Sequence, residues 1–387
     1  MSVLHQLKLS YRLIFSYLLL SLTICSNAQI SIRTIDSHAN PNEPSIAIKP
    51  SQVWIKPMVA ASNIDNFYTS PLNPKLPKSK STSKYGVYGD PVLHYSDTTL
   101  FFAHLSKTPG KSYGEWFDRI VVQKIENPYT WEEISYSVGY NQDKMQDKPW
   151  LSSDNHSDRY NGNVYVTWTE FDKYDSDDPN DRSRIRFSKY ELSTDSFNTA
   201  ITISDTTGDC LDGDNTLEGA TTAIGKDGTI YAVWAGLSYI WLDKSTDGGT
   251  TWGTDRKIAS QPKGWDMDMP NIMRANGMPF IQSDTARDIL YITWADEYSG
   301  NADVWLLYSQ DQGKSWSERI RVNQDTSNRG QYFPNTVVDQ ATGSVFIVYY
   351  DFRYSSSEAF YNIMLNTFSI EDGMSEYLIT PEAIPLP

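Results

Sequence analysis

The residues of this chain best suited to chemistry are carboxylates that recur in one local context, immediately ahead of a short strand opened by Pro or Gly. The pairs at that address are Asn42-Glu43, Gly89-Asp90, Asp147-Lys148, Leu217-Glu218, Asp268-Met269 and Tyr332-Phe333, so five of the six carry an acid. Glu170, Asp296, Glu297, Asp351 and Arg353 stand just behind the strand that follows. Carboxylates held a few ångströms apart raise at least one pKa among them, which keeps one group protonated near neutral pH while another stays charged. Cleavage of a glycosidic bond needs that division, one group acting as acid and one as nucleophile or base. Glu218 and Asp90 are the leading pair, with Asp268 and Asp351 in reserve and Arg353 lowering the pKa of whichever acid it meets. Trp150, Trp265, Tyr332 and Tyr350 lie beside them in sequence and offer faces for a sugar ring, while Glu43, Arg274 and Arg353 offer polar contacts. The same acids would equally serve as structural caps that bind backbone N–H groups or neighbouring Lys and Arg.

These addresses coincide in space only if the strands behind them are arranged in a ring. A two-strand unit recurs six times, pairing residues 44–48 with 54–62, 91–95 with 100–106, 149–153 with 163–169, 219–224 with 229–235, 270–274 with 289–295, and 334–339 with 345–350. Third strands are expected at 119–125, 184–190, 240–244, 304–309 and 361–368, and fourth strands at 201–204, 257–260 and 319–323. Each unit has room for four strands, which predicts an all-β, six-bladed β-propeller of four-stranded antiparallel blades. In a propeller the innermost strand of every blade lines the axis, so residues before it and after the second strand crowd one axial mouth. Residues 30–35 have no partner in their own unit and are expected to complete the sixth blade. Residues 62–88, rich in Pro, Lys and Ser, read as a long loop or insertion.

Composition limits the classes of function. The 387 residues are 39% hydrophobic and 13% aromatic, with 12 Trp and 25 Tyr, enough for a large β-rich core. A formal charge of −15 argues against nucleic acid, whose phosphates require clustered Lys and Arg. Lys8 and Arg12 precede an apolar run over residues 13–25, and Ser26-Asn27-Ala28 supplies small residues for cleavage before Gln29. This predicts a signal peptide over 1–28, a propeller over 29–387, and a secreted or periplasmic monomer with no membrane span. Cleavage there removes Cys25 and leaves Cys210 as a lone thiol, expected in the core.

Two turns carry a stronger signal. Residues 245–252 read Ser-Thr-Asp-Gly-Gly-Thr-Thr-Trp and residues 309–316 read Ser-Gln-Asp-Gln-Gly-Lys-Ser-Trp. Both match the Asp-box, S-x-D-x-G-x-[ST]-W, the bacterial neuraminidase repeat, and both fall between expected third and fourth strands. Gly89-Asp90-Pro91, Gln146-Asp147-Lys148-Pro149-Trp150, Gly208-Asp209-Cys210 with Asp214-Asn215-Thr216, Gly264-Trp265-Asp266 and Tyr349-Tyr350-Asp351-Phe352-Arg353 extend the likeness. The chain thus resembles the sialidase superfamily, and within it the secreted sialidase-like propellers of Bacteroidetes. That resemblance implies a glycan or glycoconjugate substrate, Glu218 as the activating Glu, Asp90 as the acid/base Asp, and Tyr349 or Tyr350 as the nucleophile. It also implies three Arg gripping a carboxylate, for which Arg353, Arg274 and Arg119 are the candidates. The Arg-Ile-Pro motif of that family is replaced in unit one by Glu43-Pro44, and an acidic mouth repels an anionic sugar, which disfavours sialic acid. A non-catalytic glycan- or protein-binding propeller is the alternative.

No cofactor is required by this chemistry, but two Asp-rich segments raise Ca²⁺ as a structural option. Residues 172–181 hold five Asp, and residues 209–218 place Asp209, Asp212 and Asp214 beside Glu218. Neither follows EF-hand spacing, and a solvated loop accounts for the first. His94 and His104, on paired strands, are expected to pack as a core pair.

Overall fold

Alternation of apolar and polar residues, with β-branched and aromatic side chains between Gly, Asp and Asn turns, gives strands throughout, and no helix forms among the described residues. The computed structural model describes Ile32 and residues 42–50, 58–63, 67–69, 79–111, 117–127, 132–272, 274–355 and 359–386. All six sheets lie within one unit, Ile35–Pro387. The expected signal peptide and most of residues 30–35 fall outside the described residues.

Each sheet is a contiguous antiparallel meander. The first comprises Ser45–Ile48, Met58–Ala61, Phe67–Thr69 and Ser79–Lys80, and the second Gly89–Ser96, Thr99–Ser106, Arg119–Asn127 and Glu132–Val138. The third comprises Met145–Ser153, Val164–Phe171 and Ser183–Glu191, flanked by Ser196–Phe197 and Ile201–Thr202. The fourth comprises Glu218–Ile224, Ile230–Gly236, Tyr239–Ser245 and Arg256–Ser260, and the fifth Phe280–Asp284, Ile289–Asp296, Asp303–Ser309 and Ile320–Arg321. The sixth comprises Gln331–Val338, Val345–Asp351, Phe360–Ser369 and Gly373–Leu378, with Ile384–Pro385 paired to its third strand.

Two expectations are corrected here. Residues 62–88 are not simply a loop, because they contribute the third and fourth strands of the first sheet. The fifth sheet opens with Phe280–Asp284, not with residues 270–274, whose described members form a turn and loop. The strand opener is Met278-Pro279, and Gly277 before it lies so close to its neighbour strand that a Cβ there would stand 1.7 Å from the Ala295 carbonyl oxygen. That approach admits only glycine.

Successive sheets stack face to face through five apolar layers. Val59 shares one cluster with Leu93 and Phe102, Phe101 another with Val166 and Trp168, and Phe187 a third with Ile230 and Trp234. Val233 and Leu242 share a fourth cluster with Ile292 and Trp294, and Tyr291 a fifth with Ile347 and Phe368. Every one of these junctions also carries a hydroxyl stitch. Ser45 Oγ accepts from Leu93 N at 2.9 Å, Ser153 Oγ meets His94 Nε2 at 2.7 Å, and Ser152 meets Thr222 at 2.6 Å. Thr221 Oγ1 donates to the Pro279 carbonyl at 2.9 Å, and Thr293 and Thr336 join the fifth and sixth sheets at 2.5 Å. Buried hydroxyls with partners cost little and fix register between faces that apolar contact alone would let slide.

The two terminal sheets each keep an outward apolar face. Ile46 and Ile48 are 54% and 53% exposed, and Val337 and Val348 of the sixth sheet are 57% and 40% exposed, whereas every second-strand residue of the third, fourth and fifth sheets is buried.

The two Ser-x-Asp turns are near copies. Asp247 Oδ1 accepts from Thr250 N and Thr251 N at 3.0 and 2.8 Å while Ser245 Oγ accepts from Gly249 N at 2.8 Å. Asp311 Oδ1 accepts from Ser315 N at 2.8 Å and Ser309 Oγ from Gly313 N at 2.9 Å. Gly249 and Gly313 take φ of 82° and 76°. Trp252 packs edge-on to Phe187 of the preceding sheet, its ring 5.0 Å away. Cys210 is fully buried beside Met145 and Phe171. His94 and His104 do not face each other, because His94 pairs in register with Phe101, and His104 bonds the Leu105 carbonyl.

Candidate functional site

The address ahead of each first strand has a definite backbone form. Glu43, Asp90, Lys148, Gly219 and Phe333 take φ of 46°, 49°, 49°, 68° and 50°. In four sheets the register slips at this point, between Gly89 and Val92, opposite Thr167 and Thr169, between Glu218 and Thr221, and between Tyr332 and Asn335. Each slip is a β-bulge, which bends the strand and re-aims the side chains at its end. A left-handed residue other than Gly costs about 1–2 kcal/mol, and such strain collects at functional sites. Pro44, Pro91, Pro149 and Pro334 follow four of these residues.

Three sheets bring acids together around Lys148. Asp147 Oδ1 accepts from Lys148 N at 2.9 Å, and Lys148 Nζ stands 4.0 Å from Asp147 Oδ2. Asp90 N donates to Asn63 Oδ1 at 3.2 Å, and Asn63 Nδ2 donates to Glu43 Oε2 at 2.6 Å, so the first sheet braces the second. Glu218, the opening residue of the fourth sheet, is 0% exposed, and neither carboxyl oxygen has a hydrogen-bond partner among the described residues. Asp212 lies beside it, close enough to act on its titration without the geometry of a hydrogen bond. Asp212 Oδ1 accepts from Trp265 Nε1 at 2.9 Å, and its Oδ2 from Tyr174 Oη and Arg274 Nη1.

Burial and charge push these acids apart. Burial, and then the charge of Asp212, holds Glu218 well above the usual carboxylate range against the opposing pull of Lys148. Burial pushes Asp147 up to about 7, with Lys148 opposing and Asp90 reinforcing, and Asp90 is raised by burial against Lys148. Burial would also raise Asp212, but hydrogen bonds from Tyr174 and Trp265 and the Arg274 charge prevail and keep it low. Burial would lower Lys148, yet Asp147, Asp90 and Glu218 raise it, so its ammonium stays charged. The arrangement therefore pushes the Glu218 carboxyl up and holds Asp212 down, moving two neighbouring acids in opposite directions.

Other sequence candidates sit apart from this cluster. Asp268 is exposed, its N–H donating to Glu297 Oε1 at 2.6 Å, in a cleft of about 200 Å³ that Asn328 and Phe352 also line. It does not precede a first strand, because the fifth sheet begins twelve residues later, at Phe280. Asp351 is buried and accepts from Arg353 N and Nε at 2.7 and 2.8 Å. Arg353 also binds Glu376 of the outermost strand at 2.5 Å, and Tyr349 Oη donates to Glu376 at 2.7 Å, so this group ties the sixth sheet to itself. Tyr350 packs on Tyr361, Tyr332 and Phe333, with ring centroids 4.7, 5.4 and 6.0 Å away. Trp150 is partly exposed and packs edge-on to Phe280, while Trp265 is 3% exposed and has no open face for a sugar. Arg119 is held by Asp118 at 2.8 Å.

Asp209, Asp212 and Asp214 point to different protein donors. Thr216 Oγ1 donates to Asp209 at 2.7 Å and Trp265 N to Asp214 at 2.8 Å. Among the described residues no three His, Cys, Asp or Glu side chains gather as a metal centre. Sequence reasoning gave no role to Lys148, Asn63 or Tyr174. Lys148 carried a readable signal, standing before Pro149 as Asp90 stands before Pro91, whereas Tyr174 is brought in by a loop that no local pattern marks.

No protein-family model and no curated protein matches this sequence. Solved structures similar to it in backbone include an ulvan lyase described as a new family of polysaccharide lyase, with 10% identity and TM-score 0.47, covering 75% of this chain and 71% of that one. An alpha-L-arabinofuranosidase from Lactobacillus brevis has 14% identity and TM-score 0.42, covering 76% and 94%. A variant of the NanB sialidase from Streptococcus pneumoniae has 9% identity and TM-score 0.48, covering 86% and 78%.

Proposed function

We propose that this chain is an exported, six-bladed, sialidase-like propeller that cleaves a glycosidic bond in a neutral glycan at the Asp90, Asp147, Lys148, Asp212 and Glu218 cluster. The observation that carries the reading is the pairing of a buried, unpartnered Glu218 carboxyl with an Asp212 held ionised by three donors. Glu218 gives its proton to the leaving oxygen, Asp212 offsets the positive charge that grows on the sugar ring, and a water adds to the anomeric carbon, its released proton restoring the Glu218 carboxyl. Lys148 keeps Asp90 and Asp147 in place beneath the mouth. Arg274, Arg353 and Arg119 are each engaged by a carboxylate, which favours a neutral sugar over an anionic one. Tyr350 belongs to an aromatic wall, and burial raises its phenol, which disfavours a phenolate nucleophile. Closure of the ring would bring Ile46 and Ile48 onto Val337 and Val348, covering both outward faces.

The complete burial of Glu218 favours a second reading, a glycan-binding propeller in which the acid is structural. A hydrolysis screen on a panel of glycans, sialyl-lactose included, separates the two. The enzyme reading expects release from a neutral substrate and its loss in Glu218→Gln with an unchanged melting temperature. Binding without turnover, or turnover that survives Glu218→Gln, overturns it.

A further inference from the structure

The cleft that Asp268 borders lies where the fifth and sixth sheets meet, and separate stretches of chain build its walls. Asp268 and Met269 come from the loop ahead of the fifth sheet, and Glu297 and Asn301 from the loop between its second and third strands. Asn328 and Arg329 lead into the sixth sheet, and Phe352 follows its second strand. Main-chain bonds fix these walls. Glu297 N donates to the Pro262 carbonyl at 3.1 Å, Gln331 N to the Ala302 carbonyl at 2.8 Å and Phe352 N to the Gly330 carbonyl at 3.1 Å. The space of about 200 Å³ between them is therefore preformed, and a ligand entering it need not order the loops around it.

The floor is apolar and the rim is polar. Met269 and Phe352 belong to one buried apolar cluster. On the rim, Asp268 and Glu297 bring carboxylates, which only accept, Arg329 brings a guanidinium, which only donates, and Asn301 and Asn328 bring amides, which do both. Asn301 Nδ2 donates to the Ala302 and Arg329 carbonyls at 3.4 and 3.3 Å, which holds its amide in place. The bond from Asp268 to Glu297 uses the main-chain N–H, so the exposed Asp268 carboxylate is not spent on it. A sugar hydroxyl both donates and accepts, and a sugar ring joins a polar edge to a C–H face, so a neutral saccharide answers each kind of group on the rim while its carbons rest on the floor. An anion would meet Asp268, Glu297 and the chain's net charge of −15, and a cation would meet Arg329. The loop that supplies Glu297 and Asn301 also carries exposed Tyr298, its ring centre 4.0 Å from the Arg319 guanidinium and its ring edge-on to Trp305 at 5.8 Å, a pinned aromatic face suited to the same ligand class.

We propose that this cleft is a binding subsite for one unit of a neutral saccharide, with Asp268 and Glu297 accepting from its hydroxyls, Asn301 and Asn328 bonding its edge, and Met269 and Phe352 beneath its ring. It shares no residue with the Glu218 cluster and requires no bond to be cleaved, so it stands whether that cluster is catalytic or structural. Asp268 holds the sugar and takes no part in chemistry.

The test is saturation-transfer NMR of the full chain titrated with the methyl glycosides of glucose, galactose, mannose, xylose and arabinose, with those of glucuronic acid and glucosamine as charged controls. At least one neutral glycoside is expected to bind saturably and more tightly than either control. Its affinity should fall at least about tenfold in Asp268→Ala, which removes a charged acceptor, and in Asn328→Trp, which fills the cleft, and should be unchanged in Glu218→Gln. Asp268 and Asn328 are both exposed, so melting temperatures close to that of wild type are expected and make the loss local. Absence of binding by every neutral glycoside, tighter binding of a charged control, affinity that survives in either folded cleft variant, or an equal loss in Glu218→Gln overturns the proposal. The last result would place the sugar at the Glu218 cluster instead, which separates failure of this subsite from failure of the glycosidase reading.

Discussion

Replacing Asp147 with Asn makes a sharp test of the electrostatics around Lys148. Asp147 is 6% exposed, and burial moves its pKa from an ordinary 3.8 to about 7, with Lys148 pulling the other way and Asp90 adding to the rise. A raised folded-state pKa means the folded and unfolded chains hold the proton alike below about pH 4, while above it the unfolded chain releases its proton first. The contribution of Asp147 is therefore fully present at low pH and is lost as pH rises through about 7. A shift of this size corresponds to about 4 kcal/mol. Asn does not titrate, and its side-chain oxygen can still accept the bond that Lys148 N makes to Asp147 Oδ1 at 2.9 Å. Urea unfolding of both proteins at pH 4, 6 and 8 should show the variant gaining on wild type by about 4 kcal/mol across that range. A gap that stays constant, or one that moves against the variant as pH rises, would falsify the account of a buried acid kept near neutrality and show the Asp147 to Lys148 pair to be net stabilising when ionised.

Further outcomes follow from single contacts. Arg353→Met strips the counter-charge from buried Asp351 and half-buried Glu376 and should cost about 3–5 kcal/mol in chemical denaturation, whatever it does to glycan turnover. A loss below about 1 kcal/mol would mean that these acids find other partners. Gly277→Ala drives a methyl into the Ala295 carbonyl and should yield little folded protein, read by soluble yield and near-ultraviolet circular dichroism. Normal folding of that variant would show that the loop before the fifth sheet can move aside. Glu218→Gln should keep or raise the melting temperature, since an amide replaces a carboxyl that has no hydrogen-bond partner among the described residues. A clear fall in melting temperature would assign Glu218 a structural role.

The strand pairs were legible because their signals are local. Val, Ile and Tyr runs between Pro or Gly openers placed the first and second strands of five sheets within a few residues of where they form. The fifth sheet failed because Met269-Pro270 and Met278-Pro279 offer the same opener, and the choice between them rests on the close approach of Gly277 to Ala295, a contact between elements. The first sheet failed in its outer half, since the Pro, Lys and Ser around Phe67–Thr69 and Ser79–Lys80 mask strands that only pairing reveals. Around Lys148, position along a repeat indicated Asp90, Asp147 and Glu218 but not how they would be shared. Glu218 looks to Asp212 and Lys148, while Asp90 looks to Lys148, Glu43 and Asp147. Tyr174 and Arg274 reach Asp212 from loops, and loop reach has no periodicity to read.

The left-handed residue ahead of the first strand has a consequence for how this chain could change. Glu43, Asp90, Lys148, Gly219 and Phe333 share one backbone shape yet span an acid, a base, a hydrogen and an aromatic ring. At Asp90, Lys148 and Phe333 the bend is held by the following Pro and the slipped register, and it specifies a direction without specifying a side chain. Substitution at Asp90, Lys148 or Phe333 therefore changes the side chain that the bend presents, whereas Gly219 is fixed, because a Cβ there would stand 2.4 Å from Met278 Cγ. A library varied at those three positions would sample new side chains on one fixed backbone bend.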